Sequence, residues 1–143
     1  MTVEQVHEAT SEIHEALARL LPQLNPNLPP PDVERLQRLV ADPDVTLLIA
    51  RDGDEIVGTT TVVVYTTPFW IKARIDEVVV DESARGQGVG EQLVEVALDV
   101  ARKRGAQIAE LQSARTPARE AAHRLYERLG FQVRNSGVFR ILL

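Results

Sequence analysis

The chain has 143 residues, of which 44% are hydrophobic and 26% charged, a composition typical of one soluble globular domain. It contains no cysteine, which excludes disulfides, zinc–thiolate sites and a cysteine nucleophile. A formal net charge of −5 argues against nucleic-acid binding, and no apolar run approaches the ~20 residues of a membrane span. The N-terminus lacks a signal-peptide pattern, so we expect a single cytoplasmic domain over residues 1–143.

The first half of the chain predicts two helices and several strands, as in an α/β or α+β domain. Thr10 or Ser11 caps the first helix, and Asp32 caps the second. Between them, residues 22–31 hold five of the eight prolines and predict a loop. Alternating or β-branched patterns predict strands at residues 3–6, 45–50, 56–66 and 71–80.

The second half predicts two further helices and further strands. One helix begins at Gly88 or Val89 and stops at Gly105, and another runs from Thr116-Pro117 to Gly130. Apolar patterns predict a strand at residues 107–111 and a closing hairpin at residues 131–133 and 138–142.

The most informative stretch is residues 78–90, Val-Val-Val-Asp-Glu-Ser-Ala-Arg-Gly-Gln-Gly-Val-Gly. It reads as a buried strand, a polar loop and alternate glycines that enter a helix. Glycines let backbone N–H groups turn toward a close ligand, and a helix N-terminus carries partial positive charge. The pattern therefore predicts a phosphate site, to which Arg85 adds a fixed charge.

Two common phosphate motifs do not fit this loop. The dinucleotide fingerprint requires a third glycine where Glu91 stands, and the NTPase loop requires Gly-Lys-Ser/Thr, which is missing. The spacing that does occur is Arg-x-x-Gly-x-Gly, formed by Arg85, Gly88 and Gly90.

With this loop, the sequence resembles the GCN5-related N-acetyltransferase (GNAT) superfamily. Residues 122–131, Ala-His-Arg-Leu-Tyr-Glu-Arg-Leu-Gly-Phe, are similar to the family's late Ala-x-x-Leu-Tyr-x-x-x-Gly-Phe segment. Ile56-Val57-Gly58 looks like its early hairpin. The resemblance implies a mixed, mostly antiparallel sheet of six to seven strands flanked by about four helices. It also implies that a homodimer is common.

The resemblance further implies acetyl transfer from acetyl-CoA to an amine. No metal is expected, because no pair of the three histidines has the spacing of metal ligands. The coenzyme arm would pair with the strand end, its pyrophosphate would meet the glycine loop, and an arginine replaces the family's frequent asparagine before Ala122. The implied coenzyme-binding residues are Val78, Val79, Val80, Arg85, Gly86, Gln87, Gly88, Val89, Gly90, Arg119 and Tyr126.

The same resemblance implies the catalytic residues. Tyr126 is the expected general acid, because a phenol with a pKa of ~10 can protonate a departing thiolate of pKa ~8.5. Glu77, with Asp76 as the alternative, is the expected base for the amine. A backbone N–H near Val79 or Val80 is the expected oxyanion donor.

The acceptor is expected to be a small-molecule or peptide amine. Trp70 lies in an aromatic cluster with Tyr65 and Phe69 that predicts a cleft wall, so Trp70 and Asp76 are candidate acceptor-binding residues. Two other functions stay open: a non-catalytic acyl-CoA sensor on the same fold, and a binder of nucleotides or phosphate metabolites.

Overall fold

The computed structural model describes residues 1–143, and a five-stranded sheet in the order β1-β2-β3-β4-β5 organises the N-terminal part. Its strands are β1 (Thr2–Gln5), β2 (Val45–Asp52), β3 (Glu55–Thr66), β4 (Ile71–Val80) and β5 (Ile108–Leu111). All neighbouring strands are antiparallel except β4 and β5. The helices are α1 (Ser11–Leu24), α2 (Val33–Ala41), α3 (Val89–Lys103) and α4 (Glu120–Arg128). The predicted α/β class, with a mixed and mostly antiparallel sheet, is confirmed.

The chain divides into two compact units, Met1–Gln112 and Ser113–Leu143. The first holds the sheet and helices α1 to α3. The second holds a 3₁₀ turn (Pro117–Arg119) and α4. That the whole chain forms one domain stays a prediction. No helix has the length and apolar character needed to cross a membrane.

The predicted closing hairpin is wrong. No strand forms over residues 131–143, so the sheet has five strands instead of six to seven. A two-stranded hairpin is stable only when one of its faces packs against something. Here the apolar side chains are open to solvent, with Phe139 98% and Leu142 89% exposed. The apolar pattern of these residues therefore does not lead to strands, because their side chains are not buried.

Helices α1 and α2 begin where their capping residues predict. The Thr10 hydroxyl accepts a hydrogen bond from the backbone N–H of Ile13 at 3.3 Å. The Asp32 carboxylate accepts one from the backbone N–H of Arg35 at 2.8 Å. The predicted loop boundary at Pro22 is wrong, because α1 continues through this residue to Leu24. Proline lacks an N–H, so the last turn of α1 forms with one backbone bond fewer.

The sheet is covered on both faces. On one face, α1 and α2 pack on the strands in a single apolar cluster. Its buried members are Val6, Ile13, Ala16, Leu17, Leu20, Leu36, Leu47, Ile49, Ile56 and Val79. On the other face α3 approaches β3 closely at Gly58, where an added Cβ would lie 2.9 Å from Leu93 Cδ1. Gly58 thus allows α3 and β3 to approach closely, and a larger residue at this position would force them apart.

Within the buried sheet, two threonines differ in their hydrogen bonding. The Thr59 hydroxyl donates to the carbonyl of Leu48 at 2.9 Å, whereas the fully buried Thr46 hydroxyl has no partner. Burying a hydroxyl without a hydrogen bond destabilises the folded state. We therefore expect Thr46→Val, which keeps the side-chain shape, to raise the free energy of unfolding by about 1 kcal/mol.

Thr59→Val is the matched control, since it removes a satisfied hydroxyl from the neighbouring strand. It should lower the free energy of unfolding by a similar amount, about 1 kcal/mol. Chemical denaturation of both variants measures the difference. A loss of stability in Thr46→Val would show that its hydroxyl is satisfied in solution.

Candidate functional site

The second half of β4 carries a β-bulge. Two β4 residues, Glu77 and Val78, oppose the single β3 residue Thr60, whose hydroxyl donates to the Asp76 carbonyl at 3.0 Å. Glu77 takes a φ of +55°, the left-handed conformation that non-glycine residues rarely adopt. Such a conformation costs on the order of 1–3 kcal/mol and is typical of functional sites.

The bulge reverses the side-chain order along β4. Before it, Ile75 pairs with Val62, which shares the α3-facing side of β3 with Gly58. After it, the odd-numbered Val79 packs in the α1–α2 cluster instead. An extra residue in one strand has this effect, because side chains alternate with a period of two.

The end of β4 has one free side. Pairing with β5 stops at Ile75–Leu111, so residues 76–80 are paired with β3 alone. The Asp81 N–H donates to the Val57 carbonyl at 2.7 Å, so the alternation of an antiparallel ladder turns the N–H of Val80 away from β3. The Val80 carbonyl also faces outward and accepts from Arg85 Nε at 3.3 Å. Val80 therefore offers a backbone donor on the side where β5 has ended.

The loop after β4 is built for close approach to its backbone. A 3₁₀ turn (Glu82–Ala84) leads to Gly86 and Gly88, which take φ values of +79° and +83°. Both positions need glycine because of this left-handed backbone. Gly88 is the N-cap of α3, so the first N–H groups of that 15-residue helix have no helical acceptor.

The charge at this point is positive and accessible. Arg85, Gly86, Gln87 and Gly88 are exposed, whereas Val89 is buried and anchors the first turn of α3. Backbone donors, the positive end of a helix and a guanidinium are the groups that bind phosphate. The predicted boundaries of this strand, loop and helix agree with the structure.

The two candidate bases have different surroundings. Arg74 Nε donates to both carboxylate oxygens of Asp76, at 3.1 and 3.2 Å, so this carboxylate is already bonded to a cation. Partial desolvation, and then the negative charge of Asp76, raise the pKa of Glu77. A carboxylate with a raised pKa is the better proton acceptor, which favours Glu77 over Asp76.

Trp70 lies away from these carboxylates. It ends the four-residue turn before β4, where its N–H donates to the Thr67 hydroxyl at 3.1 Å. Seven positions of β4 separate it from Glu77, about 23 Å along an extended strand. In the same cluster, Lys72 Nζ lies 5.9 Å from the centre of the Tyr65 ring. The structure does not bring Trp70 together with the bulge.

The unit Ser113–Leu143 holds the remaining candidates. Tyr126 lies on α4 with its ring edge-on to Phe131, the centroids being 5.9 Å apart. Burial raises the pKa of Tyr126, while the charge of Arg119 opposes this shift. The hydroxyl therefore keeps its proton at neutral pH. In the same unit, Ser113 Oγ lies 3.0 Å from His123 Nε2.

Two residues near the loop were not predicted from the sequence. Arg19 of α1 pairs with Asp81, which is 9% exposed and follows β4 directly. They are 62 positions apart, so no local pattern could have linked them. For metal chemistry, the structure contains no group of three or more His, Asp or Glu side chains arranged to hold an ion.

Comparisons with known proteins identify the family of this chain. The model of the acetyltransferase (GNAT) family matches residues 10–131. The chain belongs to the GNAT family. The resemblance seen in the sequence is thus confirmed, and the GNAT family supports acetyl transfer as the general activity. No curated protein gives a significant sequence match.

Several solved structures share this GNAT fold along nearly the whole chain. A transcriptional regulator from Bacillus halodurans C-125 is 27% identical with a TM-score of 0.84, covering 99% of both chains. A ribosomal-protein-alanine N-acetyltransferase from Brucella melitensis is 25% identical with a TM-score of 0.74, covering 99% of this chain and 100% of that one. An aminoglycoside acetyltransferase from an uncultured soil metagenomic sample, in complex with sisomicin, is 20% identical with a TM-score of 0.82, covering 99% and 95%.

The left-handed conformation of Glu77 predicts a stability effect. Glu77→Gly should raise the free energy of unfolding by about 1 kcal/mol relative to Glu77→Gln, because glycine adopts a positive φ without strain. The glutamine variant is the control, since it also loses the charge but keeps the Cβ. Thermal and chemical unfolding of both variants measure the difference. Equal stability would contradict a strained bulge.

Proposed function

We propose that this protein transfers an acetyl group from acetyl-CoA to a primary amine by direct attack in a ternary complex. The observation that carries the proposal is the unpaired end of β4, which leads through a bulge into a left-handed glycine loop at the start of α3. It offers an extended backbone beside a phosphate-binding loop, in a chain that belongs to an acetyltransferase family. An extended pantetheine arm that ends in a pyrophosphate requires both features in this order.

The proposed coenzyme site uses mostly main-chain groups. Residues 78–80 would pair with the pantetheine amides on the side that β5 leaves free. The N–H groups of residues 86–90, with Arg85, would hold the pyrophosphate. In acetyl-CoA, the carbonyl carbon of the thioester would be attacked by the amine nitrogen. Val80 N–H, which points away from β3, is the favoured oxyanion donor of the two expected.

Two side chains are proposed to move protons. Glu77 would accept the proton of the attacking amine, directly or through water, because partial desolvation raises its pKa, whereas the carboxylate of Asp76 is already bonded to Arg74. Tyr126 would protonate the coenzyme thiolate when the carbon–sulfur bond breaks. Its assignment rests on the Leu-Tyr-x-x-x-Gly-Phe motif and on the chemistry of a phenol that keeps its proton at neutral pH.

The acceptor is proposed to be the amine of a small molecule or of a peptide N-terminus. Both kinds are represented among the structural neighbours, one an aminoglycoside acetyltransferase and the other a ribosomal-protein-alanine N-acetyltransferase. Asp76 is proposed to contact the acceptor, since it is partly exposed beside Glu77. Trp70 is kept as a second acceptor contact only for a long acceptor, because it lies at the other end of β4.

The second candidate function is a non-catalytic acyl-CoA sensor. The observation that favours it is the structural neighbour described as a transcriptional regulator, which is 27% identical. A sensor would be stabilised by coenzyme A without releasing thiol for any amine. A thiol-release assay with acetyl-CoA across polyamines, aminoglycosides and peptides separates the two functions. Turnover with at least one amine supports the transferase, whereas stabilisation without turnover supports the sensor.

Arg85 should contribute to coenzyme binding. Arg85→Ala is expected to weaken coenzyme A binding roughly 10- to 100-fold, the effect of losing one charge-assisted hydrogen bond to phosphate. Calorimetric titration with coenzyme A measures it. Arg38→Ala, which removes an exposed arginine paired with Glu34 on α2, is the control and should bind like the wild type. An unchanged dissociation constant in Arg85→Ala would show that this guanidinium does not contact the ligand.

Glu77 should control the acidic limb of the pH profile. A base works only when deprotonated, so kcat/KM should rise as pH rises through the raised pKa of Glu77. Glu77→Gln should remove this limb and lower kcat at least ~100-fold. Asp99→Asn, which removes a carboxylate paired with Arg102 on α3, should keep the wild-type profile. Persistence of the limb in Glu77→Gln would assign it to another group.

Tyr126 should act on turnover more than on binding. Tyr126→Phe removes only the hydroxyl and is expected to lower kcat about 100-fold or more, with little change in the KM for acetyl-CoA. Steady-state kinetics with the best acceptor from the screen measure this split. Tyr65→Phe, near the exposed end of β3, should retain full activity. Full turnover by Tyr126→Phe would exclude the phenol as the general acid.

A further inference from the structure

Helix α1 is bonded directly to the segment that joins β4 to the glycine loop. Arg19 Nη1 donates to Asp81 Oδ2, and Arg19 Nη2 donates to the Ile56 carbonyl of β3 at 2.7 Å. One turn later, the Gln23 side-chain oxygen accepts from the N–H of Glu82 at 3.0 Å. We call Arg19, Gln23, Asp81 and Glu82 the α1 clamp.

Asp81 divides its two oxygens between different partners. Oδ2 accepts from Arg19, whereas Oδ1 accepts from the N–H and the hydroxyl of Ser83, both at 3.0 Å. The second pair of bonds fixes the 3₁₀ turn that leads to the glycines. Arg19 therefore holds the carboxylate that holds the turn.

The position of the Asp81 charge also matters. This carboxylate is largely buried and stands four positions before Arg85, so its negative charge is close in the chain to the loop proposed for pyrophosphate. A buried carboxylate without a partner is strongly unfavourable and would repel an anionic ligand. The guanidinium of Arg19 neutralises it, and its side chain is itself 42% exposed.

Ile56 anchors the α1 clamp to the core of the sheet. The carbonyl that accepts from Arg19 belongs to a residue that is 3% exposed and packs in the α1–α2 cluster. Arg19 thus links Asp81 to a backbone group in the buried core of the sheet. Two bonds from one planar guanidinium also fix its orientation.

We infer that Arg19 is a positioning residue for the coenzyme: through Asp81 it sets the shape and the local charge of the β4–α3 loop. This inference rests on the proposed acetyl-CoA site. It gives α1 a function in coenzyme binding that involves no contact between α1 and the ligand.

The test measures binding of coenzyme A by calorimetry and kcat and KM in the thiol-release assay. Arg19→Met, which keeps the apolar stem, should weaken coenzyme A binding about 3- to 30-fold and raise the KM for acetyl-CoA similarly. The kcat at saturation should stay within about twofold, because Glu77 and Tyr126 are intact. Arg19→Lys should restore only part of the affinity, since it keeps the charge beside Asp81 but not the planar pair of donors that also reaches the Ile56 carbonyl.

A second readout needs no coenzyme. Amide hydrogen exchange over residues 82–86 should be faster in Arg19→Met than in the wild type. Combining Arg19→Met with Asp81→Asn should cost less affinity than the product of the two single effects, because the double variant leaves no unpaired charge. Asn can still accept from Ser83, so the turn keeps its cap.

Arg51→Met is the matched control. Arg51 also ties α1 to the sheet, through Glu12 and Glu4, but makes no contact with Asp81 or the loop. It should change neither coenzyme affinity nor exchange over residues 82–86. If Arg19→Met behaves like Arg51→Met while the wild type binds coenzyme A, the positioning inference is overturned alone. Failure of the wild type to bind coenzyme A would overturn the proposed function and this inference together.

Discussion

The bulge at Glu77 is the constraint on which the candidate site depends. It lets one strand face α3 with Ile75 and the α1–α2 cluster with Val79, although both are odd-numbered residues. It also lies just beyond the last residue that β4 pairs with β5. The strain of one left-handed glutamate is therefore associated with a strand end that is paired on one side and open on the other. A regular ladder would have buried those main-chain groups in the sheet.

The glycine loop is fixed at both of its ends by different means. At its start, Asp81 is bonded to Ser83 within the turn and to Arg19 from α1. At its end, Gly88 caps a helix whose first turn is anchored by the buried Val89. Between these points the backbone is exposed and carries no side chains over the glycines. The loop can thus be both ordered and accessible, which close approach of a ligand to N–H groups requires.

The sequence predicted those parts of the fold and site that depend on local chemistry. Thr10 and Asp32 cap their helices, and Gly86 and Gly88 take the left-handed conformations that the loop motif requires. Long-range features could not be read in this way: the Arg19–Asp81 pair joins distant positions, and the bulge has no glycine to mark it. The prediction of the terminal hairpin was wrong for the opposite reason: its local pattern was apolar, but its side chains are exposed. Trp70 was grouped with Asp76 because the two are close in sequence. They lie far apart in the structure because the residues between them form an extended strand.

The different partners of two arginines have a consequence for the behaviour of the loop in salt. Arg85 is exposed, so its attraction for an anion is screened once the Debye length falls to a few ångströms. Arg19 is paired with a carboxylate that is largely buried, and such a pair is screened much less. Raising the ionic strength thus separates capture of the ligand from the architecture that receives it. Concentrated salt would release a phosphate-bearing molecule and leave behind a loop that has kept its shape.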